Sequence, residues 1–185
     1  MLSMSVNPTI PAAIRSFRPE DRGACQVLYQ DGRIGGKIAD NDTGCDIDQI
    51  EAAYMKTPGN HFWVAQGPNG QIVGTIGVQH HEEGTGEIRR LRVHPDWRRR
   101  GIGAALVETA LRFCRDRNYL KVTLDTFVER DPAVHLFEKF GFRHYRTRNI
   151  AGKELVYFYL DLYAREEPGG QGDKGTSGKS RLRRE

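Results

Sequence analysis

Two periods of apolar spacing alternate along the chain. Phe62-Trp63-Val64-Ala65 and Ile72-Val73-Gly74-Thr75-Ile76-Gly77-Val78 are short apolar runs that read as strands, and Pro68-Asn69-Gly70 between them is a hairpin signal. Glu87-Ile88-Arg89-Arg90-Leu91-Arg92-Val93 reads as a third antiparallel strand, broken at His94-Pro95-Asp96 because proline lacks the ladder donor. The period then lengthens: Ile102, Ala105, Leu106, Thr109, Ala110, Phe113 and Cys114 recur at three- and four-residue steps, which predicts a helix with one stripe facing a core. Leu120-Lys121-Val122-Thr123-Leu124-Asp125 alternates as a strand again. Asp131-Pro132 caps and opens a helix carrying Ala133, Leu136, Phe137 and Phe140 inward, and Gly141 ends it. Upstream, residues 14–17 read as a first strand, Arg18-Pro19-Glu20-Asp21 opens a helix through Tyr29, and Asp46-Ile47-Asp48-Gln49 caps a second helix through about residue 56. A last strand pair falls near residues 143–147 and 154–162, and no internal repeat is visible.

Between the third strand and the long helix lies Arg98-Arg99-Arg100-Gly101-Ile102-Gly103-Ala104. Backbone N–H groups in a first helical turn have no intrahelical partner and carry the positive end of the helix dipole, and the two glycines let a ligand approach them closely. Arginines there repel the dipole unless an anion compensates, so the segment points to a phosphate-rich ligand, with charge-assisted hydrogen bonds of roughly 1.5–3 kcal/mol each. A Walker loop is excluded because the Gly-Lys-Ser/Thr ending is missing. A dinucleotide fingerprint is disfavoured: a third glycine is missing, and the preceding strand reads as antiparallel, although Asp125 falls near the distance expected for the ribose contact.

This strand-arginine-glycine-helix order resembles the coenzyme A loop of the GNAT superfamily of N-acetyltransferases, Arg/Gln-x-x-Gly-x-Gly/Ala, which Arg98, Gly101 and Gly103 match position for position. The stretch Ala133-Val134-His135-Leu136-Phe137-Glu138-Lys139-Phe140-Gly141-Phe142 is similar to the family's second signature. The resemblance implies an α/β fold: one GNAT-like domain over residues 13–163, with a mixed, mostly antiparallel sheet of about seven strands flanked by helices on both faces. It implies acetyl-CoA as co-substrate and a primary amine as acceptor, attacked directly in a ternary complex. Leu91, Arg92, Val93, Arg98, Arg99, Arg100, Gly101, Ile102, Gly103 and Ala104 are the expected coenzyme A contacts, with Arg130 as a further one.

Acetyl transfer to an amine needs an anchored thioester, a donor for the developing oxyanion, a base for the amine and a proton for the departing thiolate. Strand parity bears on the donor: Leu91 and Val93 share a face while Ile88 falls on the other, so either the sheet is covered on both faces or an extra residue bulges between them. By resemblance, such a bulge splays two strands and leaves the Val93 N–H for the acetyl oxygen. Glu87, at the head of that strand and at the spacing of a catalytic glutamate in some family members, is the candidate base, provided burial raises its pKa. The proton donor is where the chain departs from the pattern. The family tyrosine is replaced by Phe137, and an asparagine seven residues earlier by Arg130. Tyr145 is the candidate acid, with Tyr119, His135 or direct protonation of the thiolate by water as alternatives. A catalytically silent acyl-CoA-binding regulatory domain therefore stays open as the second reading. By resemblance, residues 32–44 and the second helix form part of the acceptor pocket, where Asp40, Asp42, Asp46 and Asp48 would suit a cationic amine or serve as solvated caps.

Length and charge narrow the remaining classes. The 185 residues, 38% hydrophobic, allow one domain with a real core, and no apolar run approaches the ~20 residues of a membrane span. A cytoplasmic protein without a membrane partner is expected; a homodimer is left open. Cys25, Cys45 and Cys114 are odd in number and show no metal or redox spacing, which fits reduced thiols. His80, His81, Glu82 and Glu83 invite a metal reading, but neighbouring strand residues point to opposite faces, so no metal is expected. The net charge of +4 owes much to a glycine- and lysine/arginine-rich tail, residues 164–185, expected to be disordered, as is a loose leader over residues 1–12. Without a stacking platform or groove-reading motif, this charge argues against nucleic acid as partner.

Overall fold

A computed structural model describes residues 11–31, 43–127, 131–150 and 152–164. Residues 165–185 of the basic tail, residues 1–10 of the leader, residues 32–42 of the expected acceptor loop with Asp40 and Asp42, and Arg130 lie outside the described residues. The elements in chain order are β1 (Ala13–Ser16), a 3-10 turn (Pro19–Asp21), α1 (Arg22–Asp31), α2 (Cys45–Asp48), a π turn (Glu51–Met55), β2 (His61–Gln66), β3 (Ile72–Glu82) and β4 (Thr85–Val93). After a second 3-10 turn (Pro95–Trp97) come α3 (Ile102–Asp116), β5 (Lys121–Phe127), α4 (Asp131–Lys139), β6 (Arg143–Ile150) and β7 (Lys153–Asp161).

The seven strands form one sheet in the order β1-β2-β3-β4-β5-β7-β6. β4 and β5 are parallel and every other pairing is antiparallel. Alternation along β2 divides its side chains between two cores: Trp63 and Ala65 pack with Ile76, Leu106, Ala110 and Phe137, while Phe62 and Val64 pack with Cys25, Ile50 and Tyr54. Helices α3 and α4 thus cover one face, and α1, α2 and the π turn cover the other. The mixed sheet with helices on both faces is the architecture expected from the sequence.

The second helix differs from expectation. Instead of running from Asp46 to about residue 56, it breaks at Gln49 and resumes as the wide π turn. Ile50 and Tyr54 are both fully buried, and the Tyr54 ring lies against the sheet at Gly77, where a Cβ would stand 2.6 Å from Tyr54 Cε1. Seating Tyr54 there while its hydroxyl reaches Asp46, eight residues back, is what regular winding does not deliver.

All three cysteines are unpaired, and two belong to the cores: burial pushes the thiols of Cys25 and Cys114 up to about 12. Cys45 is exposed at the start of α2. A thiol-alkylating reagent is expected to modify Cys45 alone in the native protein, with Cys25 and Cys114 following only on unfolding. Peptide mass spectrometry checks this; early labelling of Cys114 would contradict the packing.

Candidate active site

β4 and β5 pair only over Thr85–Glu87 and Lys121–Thr123. Past Glu87 the two strands separate, and a cleft of about 340 Å³ opens between Ile88–Arg92 on one side and Leu124–Phe127 on the other, floored by Ala133 and Phe137 of α4 and by Leu155 and Tyr157 of β7. Within the separated stretch β4 carries a bulge. Thr75 pairs with Arg92 and Gly77 with Arg89, so Ile76 faces two residues, Arg90 and Leu91, where regular pairing would place one. Both alternatives raised by strand parity hold together: the sheet is covered on two faces and β4 also carries an extra residue.

Arg90 absorbs the kink at φ +58, a left-handed conformation uncommon outside glycine. Its carbonyl accepts from Thr75 Oγ1 at 2.8 Å, and its guanidinium forks onto Asp46 of α2, Nε to Oδ2 at 2.8 Å and Nη2 to Oδ1 at 2.5 Å. Tyr54 donates its hydroxyl to the same carboxylate at 2.5 Å, and the guanidinium lies 5.0 Å from the Tyr29 ring centroid. Burial pushes the Asp46 carboxyl up, but the Arg90 hydrogen bonds and charge, helped by Tyr54, outweigh it and hold it below the ordinary carboxylate range. Asp46 is therefore a structural partner of the bulge, and Asp48 accepts from Gln26 Nε2 at 3.0 Å.

The anion loop begins where β4 ends. His94 N–H donates to Val73 O of β3 at 2.8 Å. Because N–H direction alternates along an extended strand, the Val93 N–H turns to the opposite edge, the one β5 has left. Arg98 Nε donates back to Val93 O at 3.1 Å, and Arg100 lies 5.1 Å from the Trp97 ring centroid. Gly101 stands at φ +79 immediately before α3, whose first intrahelical bond runs from Ala105 N–H to Gly101 O at 3.0 Å. The N–H groups of Ile102, Gly103 and Ala104 are thus without intrahelical carbonyls. Among the described residues no carboxylate forms an ion pair with Arg98, Arg99 or Arg100. A Cβ on Gly103 would touch Leu136 Cδ2 of α4 at 3.4 Å and Val93 Cγ2 at 3.8 Å, so this glycine keeps open the gap between α3, α4 and the end of β4. Backbone donors and positive charge coincide at this loop, and these residue types fit the diphosphate of coenzyme A.

Glu87 lines the cleft where the strands part. Its carboxyl is raised above the ordinary glutamate range, first by burial and further by Asp125, against the lowering charge of Arg89. His81 Nδ1 and Arg89 Nη1 each stand 3.8 Å from Glu87 Oε2, too far for hydrogen bonds. Leu91 and Arg92 line the same cleft.

The expected acids fall elsewhere. Tyr145 is the extra residue of a bulge in the edge strand β6, 55% exposed, with its ring against Tyr157 and Tyr159; it is not among the residues lining the cleft. Tyr119 is buried and donates its hydroxyl to Gly59 O at 2.8 Å, and His135 of α4 is likewise not among the lining residues. Phe137 packs against Phe142 beside the cleft, with no proton to give. The phenol that does line it is Tyr157, which no sequence motif singled out, because only the β5–β7 pairing of Asp125 with Tyr157 brings it there.

Comparison with known proteins agrees with this geometry. The model of the acetyltransferase (GNAT) family matches residues 16–142. Over 100 residues the chain is 41% identical to N-acetylaspartate synthetase of Rattus norvegicus, a match covering 54% of this chain and 33% of that protein. The chain thus spans about a third of the length of such relatives. Among solved structures, an acetyltransferase of the GNAT family from Staphylococcus aureus Mu50 superposes with a TM-score of 0.71 at 21% identity, over 82% of this chain and 99% of that one. The yncA protein of Salmonella typhimurium, solved with its cofactor acetyl-CoA, superposes with a TM-score of 0.70 at 18% identity, over 86% and 99%. With the bulge in β4, the loop before α3 and a family match over most of the folded region, this chain belongs to the acetyltransferase (GNAT) family.

Proposed function

We propose that residues 13–163 form an N-acetyltransferase that moves an acetyl group from acetyl-CoA to a primary amine by direct attack. The observation that carries this reading is the cleft that opens where β4 and β5 part, with the arginine-glycine loop following β4 directly in the chain and the Glu87 carboxylate, its pKa raised, in the cleft lining. Bound acetyl-CoA supplies an activated thioester; the chain supplies the rest. Arg98 to Arg100 and the first N–H groups of α3 hold the diphosphate, and Leu91 to Val93 offer a strand edge to the pantetheine arm. The Val93 N–H donates toward the acetyl oxygen, and Glu87 takes the amine proton through water. With phenylalanine at 137, the departing thiolate takes its proton from solvent. The relative named as a synthetase of an N-acetylated product supports transfer onto nitrogen. Three unpaired thiols support a reducing, cytoplasmic setting.

Incubation with acetyl-CoA and a panel of amines is expected to release free thiol in an amine-dependent manner. Tight acetyl-CoA binding with no release across the panel would instead identify a silent acyl-CoA-binding domain. Gly103→Phe is expected to weaken acetyl-CoA binding by about tenfold to a hundredfold, the equivalent of one charge-assisted hydrogen bond of roughly 1.5–3 kcal/mol. Calorimetric titration checks this, and unchanged affinity removes the loop from the reading.

A further inference from the structure

We propose that the acceptor carries a carboxylate close to its amine, and that Arg146 and Arg148 of β6 hold that carboxylate at the Tyr157 wall of the cleft. The inference rests on the acetyl-transfer reading above and names the substrate class it serves.

Register partners on adjacent strands share a face. Asp125 of β5 pairs with Tyr157 of β7, and Tyr157 pairs in turn with Arg146 of β6. Three neighbouring strands thus present a carboxylate, a phenol and a guanidinium in one row, with backbone spacing of about 4.8 Å per strand. Arg148 adds a second guanidinium: its register partner is Leu155, which also lines the cleft. The Arg146 and Arg148 guanidinium carbons lie 5.9 and 6.0 Å from the Tyr157 ring centroid, close enough for the ring to steady both charges. Among the described residues no carboxylate forms an ion pair with either.

The cleft lining holds Glu87 and Asp125, beside which an amine must sit to be deprotonated, together with Arg89, Arg92 and the Arg90 that is already forked onto Asp46. Arg146 and Arg148 stand outside that lining, past Tyr157, and add positive charge at the β6 end. A simple alkylamine would leave that end without a partner, and a polyamine would place a second cation against it. A short molecule bearing an ammonium and a carboxylate satisfies both ends, and paired guanidiniums suit a carboxylate better than a point charge does. Both arginines are exposed on an edge strand, so their loss does not open the core.

The test compares an α-amino acid, its carboxamide and the corresponding decarboxylated amine. In the wild type, kcat/KM and equilibrium binding are expected to favour the amino acid over both analogues. In the double variant Arg146→Ala/Arg148→Ala, that preference is expected to fall on the order of tenfold through KM, with acetyl-CoA affinity retained as evidence of folding. Lysine at both positions is expected to restore part of it, and glutamate to reverse it toward diamines. A wild type that binds the carboxamide as well as the acid, or a double variant with an unaltered preference, overturns the proposal. Absence of turnover with every amine would refute acetyl transfer, while the binding comparison would still decide carboxylate recognition.

Discussion

Arg90→Ala is expected to lower the unfolding free energy by about 3–5 kcal/mol, the cost of stranding one member of a buried ion pair. Its guanidinium side chain is 6% exposed and its partner Asp46 14%, so neither is rescued by water. The deletion leaves the Asp46 carboxylate with the Tyr54 hydroxyl from this network and removes the strut between α2 and the β4 bulge. Urea denaturation followed by circular dichroism measures the loss; a change below about 1 kcal/mol would be the signature of a surface pair and would contradict the buried geometry. The pH dependence has a defined sign. Asp46 is held below the ordinary carboxylate value, so its contribution is complete above that value and is lost as pH falls through the lower folded-state pKa. The acid limb of the stability curve should accordingly be shallower in the variant.

Glu87→Gln is expected to reduce kcat by about 10²–10⁴, the usual worth of a positioned general base, while acetyl-CoA affinity stays near the wild-type value. Only the carboxylate can take a proton, so wild-type activity should fall on the acid side as Glu87 protonates, at a pH above the ordinary glutamate range because burial and Asp125 favour the neutral form. The glutamine variant should lose that limb and keep only the rise set by ionisation of the amine itself. An unaltered rate or profile in the variant would assign the proton transfer to another group.

Much of the fold is legible in local spacing. The stripe from Ile102 to Cys114 becomes α3, and the alternation in residues 120–125 becomes β5. Proline at 95 and glycine at 141 fall at the boundaries their backbone chemistry predicts. The anion loop is equally readable, because every donor in it is contiguous in sequence. The parity conflict between Ile88 and Leu91 admits a bulge or a sheet covered on both faces and does not point to Arg90, since a bulge is defined by what stands opposite it.

Periodicity, punctuation and the arginine-glycine segment are short-range properties, so they mark the elements and a loop suited to an anion, while coenzyme A as its ligand and Glu87 as candidate base are what the family resemblance implies. Partners brought together from distant positions obey no local pattern, and the folded chain alone decides them: Asp46 with Arg90 across 44 residues, the π turn that seats Tyr54, Tyr145 kept out of the cleft, and Tyr157 drawn into it. A charged residue in a loop reads the same whether it meets water or a buried guanidinium. The difference is the free energy of desolvation and pairing, which exists only once the sheet and its covering helices have closed around it.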